Sequence, residues 1–170
     1  MSENINQLSE SLEDYLEKIL ALENINKVAR VKEIAEAMGV LQGSVTSALK
    51  TLTAKGLINY EPYSFITLTP KGKKLAQEVT RRHAVIKDFL INVLQLEMEN
   101  AEANACRIEH AIDRVAIDRL VQFIDYINNC PRTGPEWIAS FTKSCAERTF
   151  DAETCKRCLK HCKDAFLATA

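Results

Sequence analysis

Cys106, Glu109 and His110 form a Cys-x-x-Glu-His run inside an amphipathic stretch, and helical spacing of i, i+3 and i+4 would stack the three side chains on one face. A thiolate, a carboxylate and an imidazole suit a first-row divalent ion such as Fe2+, Co2+, Ni2+ or Zn2+, whereas Mg2+ or Ca2+ is met by oxygens alone. Three polar groups on a helix also describe a solvated edge, so the placement of the rare residues decides how far the metal reading goes. The chain has three histidines: His110 in this run, His83 on the preceding helical stretch, and His161 among cysteines near the C-terminus. Cys106 is the only cysteine in the first 129 residues, while Cys130, Cys145, Cys155, Cys158 and Cys162 crowd into the last 41. Residues 76–129 carry nine acidic side chains against six basic ones, a bias that favours a bound cation.

The elements that must hold these groups are mostly helical. A length of 170 residues allows one or two small domains with real cores. No charged segment leads into an apolar h-region and no apolar run approaches the ~18 residues of a membrane span, so the expected compartment is the cytoplasm. In that reducing setting clustered cysteines point to metal or redox chemistry rather than to a disulfide framework. Leu12, Tyr15, Leu16, Ile19 and Leu20 recur at the 3.6-residue period of a first helix. Ser11 and Asp14 fit a capping box at its start, a purely structural role for Asp14. A second helix carries Ile34, Ala35 and Met38 and stops at Gly39, the expected residue past a helix end. A third runs from about Ser44 to Gly56, with Val45, Leu49 and Leu52 inward and Ser44, Thr46, Ser47 and Lys50 outward. Two short helices around a Gly-containing turn are a helix-turn-helix.

The period then changes: Leu57-Ile58-Asn59-Tyr60 and Phe65-Ile66-Thr67-Leu68 are short β-prone runs joined by Glu61-Pro62-Tyr63-Ser64, which makes a wing. Thr69-Pro70 supplies an N-cap and a first-turn proline for a long helix reaching about Leu96. This order is a winged helix-turn-helix. Small polar residues at the start of a third helix let it approach base edges in the major groove. Ser44, Thr46, Ser47 and Lys50, with Tyr60 and Tyr63 on the wing, are the DNA-binding candidates, and Lys55, Arg81 and Arg82 are further possible phosphate contacts. A net charge of −1 argues against strong non-specific binding by a monomer and favours a dimer on a paired site.

Asn128-Asn129-Cys130-Pro131-Arg132-Thr133-Gly134-Pro135 is a cluster of breakers that marks a boundary. Beyond it Cys145, Cys155, Cys158 and Cys162 are separated by nine, two and three residues, with His161 as an alternative ligand. That spacing suits a tetrathiolate Zn2+ site or an iron-sulfur cluster without choosing between them, and thiols or a redox disulfide are the non-metal reading. Trp137, Ile138, Phe141, Phe150 and Phe166 offer too little apolar surface for an independent core, so the tail is expected to fold around its own cofactor.

Taken in order, Leu12-Glu13-Asp14-Tyr15-Leu16-Glu17, Val31-Lys32-Glu33-Ile34-Ala35-Glu36-Ala37-Met38-Gly39-Val40, Ser44-Val45-Thr46, Leu68-Thr69-Pro70-Lys71-Gly72, Arg82-His83 and Cys106-x-x-Glu109-His110 resemble the diphtheria-toxin-repressor family of iron- and manganese-dependent transcriptional regulators. The resemblance covers about residues 8–135. It implies a mainly α protein: a winged helix-turn-helix DNA-binding domain over 1–75 and a helical metal-binding and dimerisation domain over 76–135. A cysteine-rich tail over 136–170 stands in place of the SH3-like domain of some relatives. Carried over residue by residue, it points to Asp14, Glu17, His83, Cys106, Glu109 and His110 as ligands of Fe2+ or Mn2+. Cys106 is similar to the iron-responsive branch, whereas Asp14 and Glu17 are similar to the manganese-responsive branch. Lys87 stands where the iron branch has a carboxylate of its second site and Glu102 where it has a histidine, which argues against a second site of that type.

The function expected is a metal-dependent DNA-binding regulator, a repressor of iron or manganese homeostasis, acting without enzymatic activity as a homodimer on double-stranded operator DNA. An ion held by ligands from both domains would fix the two third helices at the one spacing that half-sites accept, about one helical turn (~34–36 Å) or a multiple apart. Phe89, Leu90, Val93, Leu94, Val115, Leu120, Phe123 and Ile124 are the apolar positions expected at the dimer contact. Two other readings exist. One is a redox- or iron-sulfur-responsive regulator that senses through the tail. The other is a metallohydrolase with Glu109 as base, weakened because six candidate protein ligands give little reason to expect an open position for water and no separate nucleophile is evident.

Overall fold

The computed structural model describes residues 8–61, 64–130, 133, 135–147, 152–153, 156–157 and 160. In chain order these form α1 (Glu10–Asn26), α2 (Val31–Met38), α3 (Gln42–Ala54), β1 (Ile58–Asn59), β2 (Thr67–Leu68), α4 (Pro70–Asp88), a π-helical segment (Phe89–Val93), α5 (Met98–Ile108), α6 (Arg114–Asn129) and α7 (Pro135–Glu147). The chain divides into two compact units, Met1–Arg82 and His83–Ala170, with the division falling inside α4. Among the described residues no helix is long and apolar enough to cross a membrane.

In the first unit the apolar stripes of α1, α2 and α3 meet in one core. Leu16, Ile19, Ile34, Val45, Leu49, Leu52 and Ile66 are fully buried there. Each aliphatic side chain so buried contributes about 1.5–3 kcal/mol, enough to fold three short helices and a wing around a common centre. The capping box expected at Ser11 and Asp14 does not form. The N-cap is Ser9, whose carbonyl accepts the Leu12 and Glu13 amides, because Leu8 and Leu12 both pack on this core and draw the helix start upstream. α2 ends as expected at Gly39, left-handed with φ 66°.

The wing is shorter than the β-prone runs suggested. Ile58 faces Leu68 and Asn59 faces Thr67, and no other pairs form between β1 and β2. Its anchorage comes instead from the helical body: Ala29 and Ile66 exchange backbone hydrogen bonds of 2.9 Å each, and Glu23 accepts the Leu68 amide at 2.7 Å. Thr69 caps α4 as expected, its hydroxyl accepting the Gly72 amide at 3.1 Å. Gly72 is needed at that point, because a Cβ there would lie 1.8 Å from the Leu57 carbonyl oxygen.

In the second unit α4 stops short of Leu96. The Leu94 amide reaches back five residues to the Phe89 carbonyl at 3.1 Å, and Gln95 turns left-handed at φ 55°. The extra residue in this π turn shifts the helical face, so that Leu90 packs with Ile86, Ala101, Ala105 and Ile117 while Val93 packs with Ile124 and Ile127. Leu90, Val93 and Ile124 therefore belong to the unit's own core and are not available to a dimer contact, whereas Leu94, Val115 and Phe123 are exposed. Trp137 and Ile138 of α7 pack against the Val93 cluster, which seats the beginning of the tail on this unit. Cys145 is exposed on α7, and Cys155, Cys158, Cys162 and His161 lie outside the described residues, as does Tyr63.

Candidate metal centre and DNA-reading face

α5 ends at Ile108, so Cys106 and Glu109 keep the helical register that their spacing suggested, while His110 lies past the regular helix. Cys106 sits on the last turn, Glu109 is the C-cap with its amide on the Ala105 carbonyl, and His110 lies in the turn that follows. The cause is downstream. Asp113 caps α6 by accepting the Ala116 amide at 2.8 Å, and the chain must turn between the two helices. Glu109 continues the buried Ala101 and Ala105 face of α5, at 1% exposure, while Cys106 stays exposed.

His83, within α4, is the hub of the group. Its Nδ1 lies 2.6 Å from Glu109 Oε2 and 4.0 Å from the Cys106 thiol, and its Nε2 lies 3.2 Å from Glu102 Oε1. The second oxygen of Glu109 is 3.3 Å from His110 Nε2. Burying a lone carboxylate costs several kcal/mol, roughly, unless it is paired, and here two imidazoles face it. Imidazole nitrogens, a thiol and a carboxylate converging in this way are a donor set that a first-row divalent ion accepts, so the residues fit the implied metal. The structure thus brings His83, Cys106, Glu109 and His110 together. Asp14 and Glu17, three residues apart on α1 and both partly exposed, belong to the first unit.

Glu102 is the residue that the motif reading passed over as a ligand. Donor atoms of His83, Glu102 and Cys106 lie within 4.8 Å of one another. The signal was present in the chain, since Glu102 precedes Cys106 by four positions and so shares its face of α5. Its other oxygen is 2.7 Å from Lys87 Nζ. That lysine, helped by His83 and opposed by desolvation, holds the Glu102 carboxyl below its usual range.

On the first unit α3 presents Ser44, Ser47 and Lys50 to solvent, with Val45, Leu49 and Leu52 inward as expected. Thr46 is half-buried and returns its hydroxyl to the Gln42 carbonyl at 2.9 Å, which leaves mainly its methyl for a partner. Thr46, Lys50 and Tyr60 line a cleft of about 860 Å³ between α3 and the wing, together with Arg30, Lys32 and Phe65, three residues absent from the sequence-based set. The Arg30 guanidinium stands 5.0 Å over the Phe65 ring, tying the start of α2 to the wing. Arg82, expected as a phosphate contact, is turned inward instead. It pairs with Glu13 at 3.2 Å with only 12% of its side chain exposed. Arg81, its neighbour, is exposed beside Glu78.

The family described as iron dependent repressor, N-terminal DNA binding domain, matches residues 7–66, and iron dependent repressor, metal binding and dimerisation domain, matches residues 69–138. The chain is 38% identical over 119 residues to an HTH-type transcriptional regulator of Methanocaldococcus jannaschii, covering 69% of this chain and 95% of that one. It is 36% identical over 133 residues to the HTH-type transcriptional regulator MntR of Lysinibacillus sphaericus, covering 78% and 95%. Among solved structures, the manganese regulator SloR superposes with a TM-score of 0.61 at 32% identity, over 71% of this chain and 56% of that chain. A manganese-dependent transcriptional repressor in complex with manganese shares the fold, with a TM-score of 0.62 at 24% identity over 71% and 56%. The chain therefore spans somewhat over half the length of these two structures, and nearly all of the two sequence relatives. With both halves matched in order, and with a metal donor set in one unit and a winged helix-turn-helix in the other, the chain belongs to the iron-dependent repressor, or diphtheria-toxin-repressor, family of metal-dependent DNA-binding transcriptional regulators.

Proposed function

We propose that this regulator responds to Fe2+ or Mn2+ through one centre made by His83, Cys106, Glu109 and His110 of the second unit with Asp14 and Glu17 of the first, and that it represses genes of iron or manganese homeostasis as a homodimer. The observation that carries the reading is the buried Glu109 carboxylate set between the imidazoles of His83 and His110, with the Cys106 thiol beside His83. A bound divalent ion supplies positive charge that anionic ligands from distant parts of the chain can share. Asp14 and Glu17 lie on α1, whose buried face packs in the same core as Val45 and Leu49 of α3. Ligation through Asp14 and Glu17 therefore orients the recognition helix, and two such helices in a dimer reach half-sites only at one separation. A thiol with carboxylates leaves iron and manganese both admissible, since sulfur favours the softer ion and oxygen the harder one. Cys145, Cys155, Cys158 and Cys162, with His161, are proposed on spacing alone as a separate Zn2+ or iron-sulfur site.

The test is operator binding by the full chain while Mn2+ or Fe2+ is titrated under anaerobic conditions. Chelation is expected to weaken specific binding at least tenfold, and Glu17→Ala or His110→Ala to do the same with metal present. An ion at ~100 times its dissociation constant stabilises the competent form by roughly 2.7 kcal/mol, a hundredfold change in population, so the effect is large enough to read. Equal operator affinity for chelated and metal-loaded protein would end the proposal.

A further inference from the structure

Glu102 offers two roles. Its carboxylate lies in a group with His83 and Cys106 compact enough to hold an ion, which would make it a ligand. The contacts of the individual atoms favour the other role. His83 divides its two nitrogens between two environments: Nδ1 faces Glu109 at 2.6 Å and the Cys106 thiol at 4.0 Å, and Nε2 faces Glu102 at 3.2 Å. The nitrogen pointing at the other donors is Nδ1. A histidine that gives one nitrogen to an ion keeps its proton on the other, and a carboxylate accepting that proton fixes both the tautomer and the ring angle. Both oxygens of Glu102 are engaged in this way, Oε1 by His83 and Oε2 by Lys87 at 2.7 Å. For Glu102 to ligate an ion, it would have to leave an ammonium partner and the imidazole N–H together.

We propose that Glu102 is a positioning residue and not a ligand: it accepts the Nε2 proton of His83, Lys87 holds it in that place, and His83 is thereby presented to the ion through Nδ1. The proposal rests on the reading of His83 as a metal ligand. Lys87 serves it in a second way. Without that ammonium, Glu102 would stand beside the centre as an additional unpaired negative charge and would compete for the cation. Lys87 and Glu102 are together neutral, so the pair orients His83 without altering the net charge around the ion. The carboxylate and the lysine come from different helices, α5 and α4, so the pair also fixes the two ligand-bearing helices to each other within this unit.

The experiment uses the full chain and Mn2+ as probe, since Mn2+ has little affinity for the thiolates of the tail. Glu102→Ala is expected to weaken Mn2+ binding by about ten- to a hundredfold, the usual effect of removing a hydrogen-bond partner of a ligating histidine. The double substitution Lys87→Met with Glu102→Gln replaces a neutral pair by a neutral pair and keeps an oxygen for the Nε2 proton. It is expected to hold Mn2+ affinity within about threefold of wild type. Nitrogen NMR shifts of His83 in Zn2+-loaded protein add a readout that simple loss of stability does not move: a protonated Nε2 in wild type and double variant, and a mixture or an Nε2-bound ion in Glu102→Ala. If the double variant lost as much affinity as Glu102→Ala, Glu102 would be a ligand and the proposal wrong. Zn2+ on Nε2 in wild type would overturn it equally. Failure of the parent reading looks different, because His83→Ala would then leave Mn2+ binding unchanged.

Discussion

Replacing Glu109 by Gln tests the centre most directly, because it keeps side-chain shape while removing the charge and turning one acceptor oxygen into an NH2 donor. Glu109 is 1% exposed and lies against His83 and His110 at 2.6 and 3.3 Å. The amide fills the same volume and leaves no cavity. The metal-free variant gives up charge-assisted hydrogen bonds for neutral ones, a loss of about 1–2 kcal/mol. The response to metal should change far more. Wild type in Mn2+ at ~100 times its dissociation constant gains roughly 2.7 kcal/mol. Losing a ligand weakens binding on the order of a hundredfold or more, since removing even an outer partner costs ten- to a hundredfold. At the same Mn2+ concentration the variant then gains only about 0.4 kcal/mol. The missing ~2.3 kcal/mol corresponds to about 5–9 °C of melting temperature for a chain of this size. Scanning calorimetry of both proteins with and without Mn2+ measures it. A variant that kept the wild-type increment would show that Glu109 is an internal hydrogen-bond acceptor and no ligand, and the centre would have to be redrawn without it.

Cys106→Glu exchanges a soft donor for a hard one beside His83, so anaerobic activation curves should move toward Mn2+ and away from Fe2+. An unchanged ratio would remove Cys106 from the ligand set. Ser47→Ala and Lys50→Ala, both exposed on α3, should differ in kind: the first alters base preference, and the second reduces the salt slope of binding by about one unit with little change in sequence preference. Gel-shift titrations on operator and random DNA at several salt concentrations separate them, and equal losses on both DNAs for Ser47→Ala would contradict base reading. Gly72→Ala drives a methyl group into the Leu57 carbonyl, where backbone and not a flexible side chain must yield. Destabilisation of about 3 kcal/mol is expected by calorimetry, and a change below about 0.5 kcal/mol would show that the wing and α4 separate easily.

The amino-acid sequence by itself determined what is local. Apolar periodicity placed α1, α2 and α3; Gly39 ended α2; Thr69-Pro70 opened α4; these signals act within one or two helical turns, where propensity, capping and side-chain spacing are decided. The residue types of the candidate centre were legible too, because few histidines and cysteines occur before the tail and they fall in a recognisable order. Partnership across long stretches of chain was decided only by tertiary structure. Arg82 reads as a basic surface residue beside Arg81, and only the fold of the first unit turns it toward Glu13, 69 positions away. The Cys-x-x-Glu-His run reads as one polar face, and only the packing of Ala101 and Ala105 into the second unit's core takes Glu109, next on their side of the helix, into the interior and leaves Cys106 outside. Likewise the π turn at Phe89–Val93 moves Leu90 and Val93 from an expected dimer face into the unit's own core. Glu102 and Lys87 appeared in the chain as departures from a pattern. The structure sets them on one side of the His83 ring with Glu109 on the other, a distinction that residue spacing does not carry and that the packing of α5 against His83 of α4 does.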